Sequence, residues 1–155
     1  MVPTTRYEHV ADGLVLIAHR PEAVPDAEWR GFLDVCDEVQ RHYGDLRVLV
    51  RTEGRGGPDA SQRIAFDDLA CTGRVRVGVL TRSRFIRGVC TAIAWLGQVE
   101  IRAYGPEQRA RAARFLRLEP RRAPDCLSRL DELYTQLNQP FQDEELNSVA
   151  RARMA

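Results

Sequence analysis

Lysine is missing from this chain; all 23 basic residues are arginine. That excludes Schiff-base catalysis on a lysine and the lysine of a phosphate-binding P-loop. There is no C-x-x-C pair among Cys36, Cys71, Cys90 and Cys126, and no histidine stands at metal-ligand spacing beside them. Cys36 and Cys90 lie in apolar helical patterns and read as small buried hydrophobes. His9, His19 and His42 are isolated from one another, and no nucleophile elbow joins a Ser, a His and an Asp. No catalytic residue, metal site or cofactor is expected, and the chain is read as no enzyme. No apolar run reaches the roughly 20 residues of a membrane span. No charged and apolar leader opens the chain, so the cytoplasm, with reduced thiols, is the expected compartment. The net charge of +1 supplies no field that would select nucleic acid or an anionic membrane.

What is present is an alternation of short apolar strands and amphipathic helices. Residues 7–10 and 14–19 flank Asp12-Gly13, a hairpin signal. Leu14-Val15-Leu16-Ile17 is apolar throughout, as a strand buried on both faces requires. Pro25-Asp26 opens a helix with Trp29, Phe32, Leu33, Cys36, Val39 and Tyr43 on its stripe, and Gly44 stands at its C-terminal cap. Residues 46–50 make a third strand, and a loop with Gly54, Gly56 and Gly57 follows. A short helix is predicted over 59–70, with Ile64, Phe66 and Leu69 turned inward. Val75, Val77, Val79 and Leu80 form a fourth strand. A helix over 85–96 then carries Phe85, Ile86, Val89, Ile93 and Leu96 and ends at Gly97. Val99, Ile101 and Tyr104 form a last strand, and Gly105-Pro106 starts the final helix of the core. Strand-helix-strand units of this length imply right-handed crossovers and parallel strands. Val77, Val79, Leu16, Ile17 and Val48 are expected on central, neighbouring strands.

Beyond Pro120 a further helix is predicted, in which Leu127, Leu130, Tyr134 and Leu137 recur at helical spacing. The stripe is shorter than two heptads, too short for a self-sufficient coiled coil. It is expected to pack on its own domain or to serve as an interface helix in a homodimer through residues 124–137. Residues 138–155 are expected to fray. The division is a core domain over 1–120 and an appended helix with a tail over 121–155.

The segments VADGLVLIAHRP, DLRVLVRTEG, RVRVGVLTRSRFIRG and VEIRAYGPEQRARAARFL, in that order, resemble the STAS (sulphate transporter and anti-sigma-factor antagonist) fold, and within it the SpoIIAA-like family, over residues 7–118. The resemblance implies an α/β fold: a four- to five-stranded mixed sheet with helices mainly on one face. It also implies a non-enzymatic module that binds a protein partner or, in some members, a small or lipidic ligand. Anti-sigma-factor antagonists of this fold carry an Asp-Ser-Ser-Gly motif with a phosphorylated serine. Here the matching stretch reads Gly57-Pro58-Asp59-Ala60-Ser61-Gln62 and lacks the Ser-Gly that completes the motif. Ser61 is the candidate for phosphorylation or partner docking; its simpler reading is a helix cap.

Other features are weaker. Arg82, Ser83 and Arg84 stand where a parallel strand turns into a helix, a candidate anion-binding turn; the simpler reading is a Ser83 cap with solvated arginines. Gly54-Arg55-Gly56-Gly57 lacks the order of a phosphate cradle and reads as a flexible loop. Arg111, Arg114, Arg117 and Arg121 read as a solvated helix face, with no interleaved aromatics for stacking nucleic acid. Two functions stay open. The leading one is a regulatory protein-interaction module that docks its partner on the edge formed by the short helix and the helix over 85–96. The other is a small-molecule or lipid-binding protein with an apolar pocket between the sheet and a mobile helix.

Overall fold

Each apolar segment becomes a strand that pairs with its neighbour in sequence. The computed structural model describes residues 2–97 and 99–154, and their side chains except those of residues 96 and 140–154. β1 (Thr5–Ala11) and β2 (Leu14–His19) form an antiparallel hairpin, with Asp12 at a left-handed φ of 45° in the turn. β3 (Asp45–Thr52), β4 (Arg74–Leu80) and β5 (Glu100–Tyr104) follow, each parallel to the strand before it. The result is a five-stranded mixed sheet in the order β1-β2-β3-β4-β5. The fold is α/β, as the sequence predicts.

The crossovers are α1 (Asp26–Tyr43), α2 (Ala60–Ala70) and α3 (Arg84–Leu96). Crossovers of one hand that advance in one direction along a sheet put their helices on the same face. A single 3-10 turn (Pro106–Gln108) then leads into α4 (Arg109–Phe115), and α5 (Ala123–Met154) completes the chain. These last helices cover the opposite face. Strand alternation sorts the core accordingly. Val15, Ile17, Val48, Val50, Val77 and Val79 face α1, α2 and α3, whereas Leu14, Leu16, Leu49 and Leu80 face α4 and α5. All five positions expected at the centre of the sheet are buried.

α5 lies across β1, β2 and β3. Leu130, Leu133 and Leu137 sink into the leucine face, with Leu127 and Tyr134 half-buried beside them. The stripe expected either to self-dock or to dimerise is therefore occupied by the chain's own sheet, and Leu130 and Leu137 have no surface left for a second copy. Its orientation is set by ion pairs: Asp131 takes Arg51 of β3 at 2.6 Å and Arg109 of α4 at 2.9 Å, and Arg129 takes Glu8 of β1 at 2.6 Å. Among the described residues, no helix is long and apolar enough to cross a membrane.

Some expectations need correction. Ile64 points outward, 60% exposed, while Gln62, Phe66 and Ala70 point inward. Ile64 stands two residues from both Gln62 and Phe66, about 200° around a helix, so it cannot share their face. α4 starts at Arg109 rather than at Gly105-Pro106 and ends at Phe115; Arg117, at φ 53°, lies beyond it. The four arginines thus form no single helical stripe. The backbone expected to fray after residue 137 is helical to Met154.

Candidate functional site

α2 is held by α1. The Trp29 indole N–H donates to the Gln62 backbone carbonyl at 2.9 Å, and the Gln62 amide donates to the Val24 carbonyl and to Asp26 Oδ1, both at 2.8 Å. The Phe32 and Phe66 rings stack with centroids 6.1 Å apart. α3, by contrast, rests mainly on β5. The two helices lean toward opposite edges of the same sheet face, and the space between them, above β3 and β4, is not filled. It is a cavity of about 390 Å³.

The strand register describes its floor. Val48, Val77 and Ile101 make one cross-strand row, and Ile17, Val50 and Val79 make the next. His19 and Thr52, partners in register at the carboxyl ends of β2 and β3, complete it. From Val48 to Thr52 the floor runs about 13 Å along the strands. Phe66 forms one wall, and Ile86, Val89 and Ile93 form the other. Arg55 lies over the Phe85 ring, 5.3 Å from its centroid, and both residues line the cavity. Arg63 and Asp67 are the charged groups contributed by α2.

The glycine-rich loop has a definite task. Gly57 sits at φ 134°, and a Cβ there would stand 3.2 Å from His19 Cε1. A Cβ on Gly56 would collide with the Pro21 carbonyl. Only glycines let the loop close down on β2, and Gly57 forms a parallel bridge with Ala23. The loop roofs the polar end of the cavity. It is fastened to the turn after β4, where the Arg82 amide donates to Glu53 Oε2 at 3.1 Å and the Ser83 hydroxyl donates to the Gly54 carbonyl at 2.7 Å.

Beneath that roof, His19 is 5% exposed and Thr52 is 2% exposed. Neither His19 Nδ1 nor Thr52 Oγ1 has a hydrogen-bond partner. Burial lowers the His19 pKa from 6.5 to about 4, outweighing an opposing interaction with the Arg20 backbone. The imidazole is therefore neutral at pH 7. The Cys90 thiol in the α3 wall is pushed up to about 11 by burial, and that of Cys36 is pushed higher still. Both behave as the small hydrophobes expected.

The residues singled out from sequence are not brought together. Ser61 is exposed at the second position of α2, and its hydroxyl donates to Asp59 Oδ1 at 2.7 Å. Asp59, not Ser61, is the cap: it accepts from the Gln62 amide at 2.8 Å. A phosphate on Ser61 would meet that carboxylate. Ser83 caps α3, accepting from the Ile86 amide at 3.3 Å, and Arg82 and Arg84 are exposed. The free amide of that turn already has its anion in Glu53. Leu127, Leu130, Tyr134 and Leu137 lie on the other face of the sheet. Sequence reasoning missed His19 and Thr52. Period-two alternation along β2 and β3 puts each on the face of Ile17 or Val50, but the register that makes them neighbours is a tertiary fact.

Among the described residues, no group of three or more His, Cys, Asp and Glu could hold a metal ion. Compared with protein-family models, curated proteins and solved structures, the chain finds no match.

Proposed function

We propose that this chain is a non-catalytic binding module whose ligand is a small, mainly apolar molecule taken up between the sheet and the helices α2 and α3. The observation that carries this reading is the cavity. Its volume of about 390 Å³ falls within the range of small-molecule sites, roughly 300–1,000 Å³, and its lining is apolar with a few convergent polar groups. A surface made only to dock a protein would need no hollow behind it. The reading draws on the STAS and SpoIIAA-like resemblance of the sequence, which implies a module that binds a protein partner or, in some members, a small or lipidic ligand. Four free cysteines are in keeping with a cytoplasmic setting.

A protein partner is the second reading, favoured by one observation. Ile64, Phe85 and Trp95 expose large apolar side chains on α2 and α3, at 60%, 51% and 84%. The two readings join if ligand occupancy alters this rim, because Phe85 belongs both to the cavity lining and to the exposed surface.

The test uses tryptophan fluorescence. The chain has two tryptophans, and Trp29 lines the cavity. In a Trp95→Phe variant, a nitroxide-labelled alkyl chain entering the cavity quenches Trp29 saturably, and an unlabelled chain reverses it. Linear, non-saturating quenching in a protein that melts normally would remove the binding reading.

A further inference from the structure

We propose that the cavity selects a ligand with an uncharged hydroxyl head group, held between His19 and Thr52, and an apolar tail running toward Val77 and Ile101. The inference deepens the binding reading above and rests on it.

Three observations carry it. First, two polar side chains stand side by side at one end of an otherwise apolar cavity. His19 and Thr52 are register partners on the cavity face, both more than nine-tenths buried, with Nδ1 and Oγ1 unpartnered. Most buried polar atoms in native proteins are paired, so two adjacent exceptions that line one hollow point to a group that fills it.

Second, the chemistry of the pair matches a hydroxyl. A neutral imidazole offers one donor and one acceptor nitrogen, and a threonine hydroxyl both donates and accepts. The low His19 pKa keeps the ring in that neutral form. A ligand hydroxyl can donate to one partner and accept from the other.

Third, of the two arginines that line the cavity, Arg55 and Arg63, neither is buried. Arg55 is exposed over Phe85. Arg63 donates to the Pro58 carbonyl at 2.9 Å. Glu53 accepts from the Arg82 amide. Asp67 lines the α2 side and carries the sign that repels an anion. A carboxylate pushed under the glycine roof would lose its water without gaining a buried cation, which is unfavourable.

The size of the tail follows from the volume. At about 30 Å³ per non-hydrogen atom, 390 Å³ holds on the order of a dozen atoms. A straight-chain alcohol such as decanol is of that size.

The experiment compares decanol with decanoate, each titrated at pH 7 into the Trp95→Phe protein and followed by Trp29 fluorescence. Decanol is expected to bind, and Thr52→Val to weaken it about tenfold, the worth of one hydrogen bond in a dry site. Valine matches threonine in shape, so the fold is kept; thermal melts verify this. His19→Leu is expected to act in the same direction, and decanoate to change little in either variant. The variants read the head-group contact itself, since the two probes also differ in how readily they leave water. Decanol binding that is unaffected by Thr52→Val, or decanoate binding as tightly as decanol, would overturn the hydroxyl assignment and leave the cavity as a binding site. If a folded protein binds neither probe, the binding reading fails and takes the head-group assignment with it.

Discussion

A single histidine sets much of the acid response expected of this protein. His19 has a folded pKa of about 4 against 6.5 in an open chain. Between those values the unfolded chain takes up a proton that the folded chain refuses. The contribution is therefore fully present above pH 6.5 and is lost as pH falls toward 4, amounting to at most about 3 kcal/mol. Urea midpoints measured across that window should fall for the parent protein and stay flatter for His19→Leu. Equal slopes in the two proteins would mean that His19 is protonated in the fold. Glu28 adds a loss of the same sign at lower pH. Burial works to raise its pKa, but the Thr4 and Thr5 hydroxyls and amides outweigh that and hold it below the usual carboxylate range. The roof over His19 is equally local. Gly56→Ala forces a methyl group into the Pro21 carbonyl, and the loop must lift to accommodate it. We expect a loss of about 1–3 kcal/mol in thermal unfolding, together with faster amide exchange in residues 53–57.

At the scale of elements, the fate of α5 shows what a sequence can and cannot convey. The stripe through Leu130 and Leu137 states that one side of this helix must be covered, but apolar spacing does not name the cover. The leucines of β2 that receive it lie more than a hundred residues earlier, as does Glu8, the partner of Arg129. Leu130→Ala should cost about 2–5 kcal/mol, because the side chain is fully buried among rigid neighbours. Size-exclusion chromatography should show no change in oligomeric state with that substitution, and a shift from dimer to monomer would contradict the packing described. Strands and caps were legible in the sequence because they depend on near neighbours. Asp12-Gly13 made its turn, Gly44 ended α1 in the left-handed conformation at φ 79°, and Gly97 ended α3. The inward turn expected of Ile64 was the exception, although its spacing from Phe66 already excluded a shared face. The cavity was not. It exists because Gln62 ties α2 to α1 while α3 leans on β5, and a gap between two helices leaves no periodicity in either.

For the molecule as a whole, the cavity makes stability and occupancy one quantity. A ligand that binds only the folded chain stabilises it by about 2.7 kcal/mol when present at a hundred times its dissociation constant. A matched alcohol should thus raise the melting temperature by several degrees, and Thr52→Val should reduce the gain. Melting temperatures that do not move at saturating ligand would show that the molecule binds the unfolded chain equally well.

The arrangement of the two apolar faces also has a consequence in time. The valine face of the sheet is covered by helices that alternate with its strands, so each crossover brings its own cover. The leucine face depends on α4 and, above all, on α5, which reaches back across the hairpin at the start of the chain. Chains emerge from the ribosome N-terminus first, at about 5–20 residues per second. Leu14, Leu16 and Leu49 therefore wait, uncovered, until Leu137 has been made. During synthesis this protein passes through a half-dressed stage, with one side of its sheet finished and the other open to water, to chaperones and to other nascent chains.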